Sequence, residues 1–175
     1  MFWESGMSGE VHPLRLRLGR PGDARAIGLL VRRVARRWVV PDQPEAVGRA
    51  MLARFSARGF RERMLAGQRF HLAFLGPVLV GVSGMRDDSH LVQLFVGTRY
   101  HGRGIARKLW QRTMDDAIRR AGTRRFTLNA SRCAVPVYLH LGFVPTGPEG
   151  RSPKGVVSTP MALVLSRAGA RKPAA

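Results

Sequence analysis

Apolar and polar positions divide the chain into short segments with two different periods. "LRLRL" at 14–18 alternates Leu and Arg with period two, the pattern of a strand with one buried face. From Asp23 the period lengthens: Ile27, Leu30, Val31, Val34 and Trp38 form one helical stripe, arginines occupy the opposite face, and Asp23 is placed as an N-cap. "VVPDQPEA" ends this helix, and Asp42 and Pro44 open another with a stripe of Val47, Met51, Leu52 and Phe55. Gly59 is expected to interrupt it before Phe60 and Met64. Residues 69–75, 78–86 and 90–96 read as three strands joined by turns at Gly76-Pro77 and Asp87-Asp88-Ser89, and such short links imply an antiparallel meander. Ile105, Leu109, Met114, Ala117 and Ile118 predict an amphipathic helix over about 103–121. A strand in "RRFTLNA" follows, then a short helix in "AVPVYLHL" with Pro136 in its first turn and Gly142 as C-cap. "FVPTG" and "VVSTPMALVLS" supply final strands. The pattern predicts a mixed α/β fold of α+β type in one domain over 14–165, with an N-terminal extension over 1–13 and a disordered tail over 166–175.

Composition narrows the setting. A chain of 175 residues is long enough for one substantial core. No apolar run approaches the ~20 residues that span a bilayer, so no membrane association is expected. "MFWESGMSGE" lacks the basic and apolar regions of a secretion signal, and the single cysteine, Cys133, excludes an internal disulfide. These features point to the cytoplasm. The net charge is +19, and because only Lys108, Lys154 and Lys172 are lysines, 27 of the 30 basic residues are arginine. Such a chain attracts polyanions, nucleic acid included, unless the arginines are scattered over all solvated faces. Cationic substrates are disfavoured either way. The histidines show no metal-ligand spacing with carboxylates or cysteines, so no metal is expected.

The candidate chemistry centres on "GTRYHGRGIARKLW" at 97–110. As a phosphate-binding P-loop it fails, since Arg103 and Gly104 stand where Lys and Ser/Thr must bind phosphate and magnesium. A dinucleotide-binding loop opens its fold and is followed by an acid at the end of the next strand, whereas this loop comes after three strands and "TRRFTLNAS" has no acid. The register Arg99-x-x-Gly102-x-Gly104 keeps the physics common to such loops. Glycines admit an anion close to the backbone, and the N–H groups of a helix start point at it. Donors from about Arg99 to Ala106, aided by Arg103 and Arg107, suit a pyrophosphate.

Arg-x-x-Gly-x-Gly also begins the acyl-CoA loop of the GNAT superfamily of N-acetyltransferases, and the resemblance extends over residues 14 to 165. "LRLGRPGDARAIGLLV" resembles the family's first strand and helix, "LVQLFVGTRYHGRGIARKLW" its coenzyme-binding core, and "LNAS..AVPVYLHLGFVPTG" its second diagnostic segment. The resemblance implies a central mixed, mostly antiparallel sheet of about six to seven strands flanked by about four helices and splayed at the coenzyme-binding strand. It implies transfer of an acetyl group from acetyl-CoA to an amine by direct attack in a ternary complex, on a small-molecule or peptide acceptor, by a monomer or homodimer. An RNA-linked amine such as aminoacyl-tRNA, or a non-catalytic acyl-CoA- or nucleic-acid-binding protein on this scaffold, are the competing readings.

Residue by residue, the resemblance assigns the backbone of Phe95 and Val96 to the pantetheine arm, and Arg99, Gly102, Arg103, Gly104, Ile105, Ala106 and Arg107 to the pyrophosphate. Asn129 bonds the coenzyme or merely ends its strand. Tyr138 is the general acid that protonates the departing thiolate, with a satisfied core hydroxyl as the alternative. Many relatives carry a glutamate where this chain has Val92. His90 is therefore the candidate base, with Asp88 through a water, or an amine already deprotonated, as alternatives. Cys133 reads as a small core residue rather than a nucleophile. The acceptor site is expected among the first two helices, their connection with Trp38, Asp42 and Glu45, and the 146–155 loop.

Overall fold

A computed structural model describes residues 12–166. Its elements are β1 (Leu14–Leu18), α1 (Ala24–Trp38), α2 (Glu45–Arg54), α3 (Ala57–Leu65), β2 (Arg69–Leu75), β3 (Val78–Arg86), β4 (His90–Val96), α4 (Ile105–Ala121), β5 (Arg125–Ala130), α5 (Val135–His140), β6 (Val144–Pro145), β7 (Gly150–Arg151) and β8 (Val157–Val164). The strands form one sheet in the order β1-β2-β3-β4-β5-β8-β6, with β7 beside β8. Every pairing is antiparallel except β4 with β5. The strand beyond the expected number is β7, two residues inside the Gly/Pro-rich loop, and the additional helix is the second piece of the segment after Pro44. Apart from His12, Pro13 and Ser166, the expected extension and tail lie outside the described residues. No helix among the described residues is long and apolar enough to cross a membrane.

Two local expectations are corrected. Asp23 does not cap α1 with its side chain. It closes a 3-10 turn over Pro21–Asp23, where its carboxylate accepts the Arg20 N–H at 2.8 Å and takes both branches of the Arg17 guanidinium. The Arg17 contact holds the Asp23 carboxyl below the usual range. The break between α2 and α3 falls at Phe55–Ser56 rather than at Gly59, because Ser56 adopts an extended conformation and its hydroxyl accepts the Gly59 N–H at 3.1 Å. Gly59 fits there for a different reason: a Cβ would stand 2.7 Å from the Arg54 carbonyl oxygen.

Alternate residues of the central strands feed two layers. Phe70, Leu72 and Val82 pack against Ile27, Val31 and Ala35 of α1 and Phe60 of α3. Ala73, Val80 and Val96 face Ile105 and Leu109 of α4. Farther along α4, Trp110 packs edge-on against Phe126 and tilted against Phe143, in a cluster that also holds Leu128, Met161 and Tyr138. The α4 face also buries polar groups that apolar periodicity did not reveal. Thr113 bonds the Ser83 hydroxyl and, at 3.3 Å, His71 Nδ1, while Asp116 accepts two hydrogen bonds from Arg69 at 2.6 and 3.1 Å. Burial pushes Asp116 upward, but the Arg69 hydrogen bonds and charge overcome it and hold the carboxyl below its ordinary value.

His71 is 2% exposed, with Nε2 3.6 Å from Asp116. Burial lowers its pKa from 6.5 to about 4, against the attraction of Asp116 and with the repulsion of Arg69, Arg112 and Arg119. The ring is therefore neutral at pH 7. As pH falls through that window the unfolded chain takes up a proton that the folded one refuses, so stability is lost on acidification; the Asp116 contribution persists until the pH drops below the ordinary carboxylate range. At about 1.4 kcal/mol per unit, the His71 effect is ~3 kcal/mol between pH 6.5 and 4. Urea unfolding across this range should show that loss, and His71→Gln should flatten most of it.

Candidate functional site

β4 and β5 pair only at His90↔Thr127 and Leu91↔Leu128. Directly after these pairs, β4 carries a residue with no partner in β3: Gly84 faces Gln93 and Met85 faces Leu91, which leaves Val92 as a bulge. A bulged residue bends its strand and increases local twist. β4 and β5 then part, the splay that the sequence led us to expect. The Gly97 N–H donates to the Val80 carbonyl at 2.8 Å, so alternation turns the backbone groups of Phe95 towards β3 and those of Leu94 and Val96 into the gap. One cleft of about 490 Å³ runs through this opening.

At one end of the cleft lies the start of α4. Gly102 and Gly104 both have positive φ, +74° and +72°, and a Cβ on either would meet nothing within 4 Å. Glycine is thus fixed here by conformation, on a face open to a ligand. The N–H groups of Tyr100 and His101 are used in a 3-10 turn, bonding the Gly97 and Thr98 carbonyls, which shortens the expected run of donors at its beginning. Those from Gly104 to Arg107 lack intrahelical partners, as at any helix start. Gly102, Gly104, Ile105 and Ala106 line the cleft. Arg99, Arg103 and Arg107 are exposed beside it, Arg103 lying over the Tyr100 ring at 5.5 Å and Arg107 reaching the His140 carbonyl at 3.4 Å. This donor set, unpaired N–H groups at a helix start under positive-φ glycines and among arginines, fits a pyrophosphate.

Across the gap, Asn129 and Tyr138 line the same cleft, together with Phe95 and Val96. The Tyr138 ring is packed edge-on against Phe143 at 5.8 Å. Among the described residues no hydrogen bond engages its hydroxyl. Burial raises its pKa above the usual tyrosine range, aided by nearby Cys133, so the phenol keeps its proton at neutral pH. The far wall is formed by Val34, Trp38, Val39, Met51 and Phe55 from the first two helices and their connection, and by Val156, Val157 and Ser158 at the start of β8. Asp42 lies instead in an adjoining polar recess with Arg132, Glu149 and Arg151, while exposed Glu45 pairs with Arg49 at 2.5 Å.

His90 is not part of this lining. It sits on the paired side of the bulge with Nδ1 2.8 Å from the Thr127 hydroxyl, and burial, with Arg86 close by, lowers its pKa. Asp88, with positive φ in the tight β3–β4 turn, is held by Arg120 and accepts the Thr123 hydroxyl on its carbonyl. The position occupied by glutamate in many relatives, Val92, does line the cleft.

Residues 40–165 match the sequence model of the acetyltransferase (GNAT) domain. The chain belongs to the GNAT acetyltransferase family. No curated protein matches it at the sequence level. Among solved structures, a GCN5-related N-acetyltransferase from Rhodopseudomonas palustris is similar with a TM-score of 0.75 at 23% identity, over 89% of this chain and 98% of that one. The PaiA N-acetyltransferase of Thermoplasma acidophilum, solved with coenzyme A, follows at 0.70 and 14%, over 87% and 99%. YncA of Salmonella typhimurium, solved with acetyl-CoA, matches at 0.62 and 19%, over 93% and 99%. At these identities the likeness establishes the fold.

In this GNAT domain, sequence reasoning missed two cleft residues. His101 bonds the Val96 carbonyl through Nε2 at 2.8 Å and faces the Trp38 ring at 6.1 Å. Only its position inside the glycine loop signalled it. Cys133 is exposed and lines the cleft instead of filling the core, its thiol donating to the Trp38 carbonyl at 2.8 Å. The contact crosses 95 positions, which no local pattern discloses. Because L residues disfavour positive φ, Gly104→Ala should lower stability by about 1–2 kcal/mol, measurable by thermal unfolding, without any steric clash.

Proposed function

We propose that the protein is an acetyl-CoA-dependent N-acetyltransferase in which an amine attacks directly within a ternary complex. One observation carries this reading: a single cleft connects an anion-binding helix start, a gap between two diverging strands, and a phenol with no hydrogen-bond partner among the described residues. Acetyl-CoA supplies the activated thioester. The N–H groups opening α4, with Arg103 and Arg107 alongside, hold the pyrophosphate, and the outward backbone groups of Leu94 and Val96 hold the pantetheine arm in the manner of an added strand. An N–H on this edge polarises the acetyl carbonyl as charge develops on its oxygen. Asn129 orients the coenzyme from β5.

Tyr138 delivers a proton to the departing sulfur. Its raised pKa keeps it in the donating form, and its ring is fixed by Phe143. Tyr138→Phe retains the packing and removes the proton. The variant should bind acetyl-CoA with unchanged affinity by calorimetry and lose about 10²-fold or more in kcat. Unchanged turnover across an amine panel rules out this role.

No carboxylate lines the cleft, and His90 takes no part in this reading. Deprotonation of the acceptor is left to desolvation, since an apolar surrounding lowers an amine's pKa and favours its neutral, nucleophilic form. Accordingly kcat/KM should rise with pH along the acceptor's own ammonium titration and shift when acceptors of different basicity are compared. Tyr138 adds no falling limb within its ordinary range, because it titrates above it. A fixed limb shared by every acceptor would assign the step to a protein base instead.

The competing reading, an RNA-linked acceptor, rested on charge alone. The basic residues fall on α1, α2, α3 and α4, on β1, β2, β3, β5 and β7 and on several loops, and none of the cleft-lining residues is arginine or lysine. The net charge therefore favours the anionic donor and disfavours cationic acceptors without marking out a nucleic-acid acceptor.

A further inference from the structure

The acceptor end of the cleft is defined by what it excludes. Among the residues lining the whole cleft there is no Asp, Glu, Lys or Arg. At the acceptor end the wall is mainly aliphatic and aromatic, with Val34, Trp38, Val39, Met51, Phe55, Val156 and Val157, and Ser158 at its edge. The one long polar side chain, Gln43, is already engaged. Its amide donates to the Val157 carbonyl at 2.9 Å and accepts the Val157 N–H at 2.8 Å, so it turns saturated groups to a ligand.

The nearest carboxylates lie in the adjoining polar recess, which shares Val157 with the cleft, and both are taken. Arg132 grips Glu149 through Nε at 3.0 Å and through a terminal nitrogen at 2.6 Å, and its other terminal nitrogen lies 3.7 Å from Asp42. The Arg132 hydrogen bond holds Glu149 below its usual value, hence ionised and neutralised in place. Arg151 adds a further positive charge to the recess. An acceptor bearing several ammonium groups would have to desolvate them against an apolar wall, with no free carboxylate to meet them and the +19 field opposing their approach. One bearing a single amine on an apolar body loses only that amine's hydration, and the amine leaves the cation form as it enters. Planar rings are favoured further by the Trp38, Phe55 and Phe95 rings, of which Phe55 and Phe95 meet edge-on at 6.0 Å.

Resting on the acetyltransferase reading above, we infer that the acceptor is a primary amine carried on an apolar, preferentially aromatic, body with no second cationic group. Arylalkylamines represent this class. Polyamines and aminoglycosides represent the class that the cleft rejects.

The test is coenzyme A release by the full chain, at about physiological ionic strength to screen non-specific attraction. The acceptors compared are phenethylamine and tryptamine against spermidine and kanamycin, with acetyl-CoA affinity measured separately by calorimetry. The expected result is a kcat/KM at least tenfold higher for the arylalkylamines. Two variants, Met51→Glu and Val157→Asp, each place a carboxylate in the wall. Each should lower kcat/KM for phenethylamine tenfold or more, mainly through KM, while improving spermidine and leaving acetyl-CoA affinity unchanged. Preference of the wild type for spermidine or kanamycin overturns the inference while sparing the acetyltransferase reading, and so does a preference ratio that neither folded variant alters. Absence of release with any amine, with acetyl-CoA still bound, overturns the acetyltransferase reading and this inference together. The wild-type comparison decides the matter even if neither variant folds.

Discussion

Two strands that pair for two residues and then diverge are the constraint on which this molecule depends. A parallel pair in the middle of a sheet ordinarily continues, because each unpaired buried backbone group costs about 1–3 kcal/mol. Here the extra residue at Val92 turns β4 away, and the groups of Leu94 and Val96 are left for something other than β5. His101 meets the Val96 carbonyl from one side. The remaining demand is met by solvent or by a ligand with amide groups of its own. The rest of the fold packs around this opening: the meander β1–β4 and α1–α3 on one side, β5, β8 and α5 on the other, and α4 in contact with both.

The cleft divides its chemistry along its length. At the α4 end the interactions come from backbone, with oriented dipoles and glycines that let an anion approach. At the other end they come from apolar side chains that exclude water and favour neutral species. The phenol of Tyr138 lies where these regimes meet, buried enough to keep its proton. Formal charges sit outside, arginines by the glycine loop and the Asp42–Arg132–Glu149 group, with Arg151, in the adjoining polar recess. Among the described residues no Asp or Glu lines the cleft anywhere along its length.

Much of the fold was legible in the sequence. β2, β3 and β4 were predicted to the residue, because alternation over long strands and strong turn formers at both links leave little freedom. α4 was found from its apolar stripe, yet the same stripe concealed Thr113 and Asp116, which are buried because His71, Ser83 and Arg69 reach them from other strands. Asp23 and Gly59 were misread for one reason: each is a residue with strong local preferences whose partner, Arg17 or the Arg54 carbonyl, decided its role. At the site, the glycine loop was visible as a motif with local spacing, while the family resemblance pointed to Asn129 and Tyr138. The far wall was legible only in part: the stripes of α1 and α2 held Val34, Trp38, Met51 and Phe55, but nothing local joined them to Val157 of β8. Cys133 and His101 were hidden likewise, their significance set by Trp38 far away in sequence.

The paired hydrogen bonds between Gln43 and Val157 have an implication for how the protein is made. A side-chain amide here takes the place of a neighbouring strand, joining residues 114 positions apart. While the chain emerges from the ribosome, β1–β4, α1–α3 and the first turns of α4 can pack on contacts already synthesised, whereas Trp110 waits for Phe126 and Phe143. The part of the cleft wall that Val156, Val157 and Ser158 form cannot close until β8 has been made, after every other strand of the sheet. The order of synthesis alone makes the last described strand the one that completes the cleft.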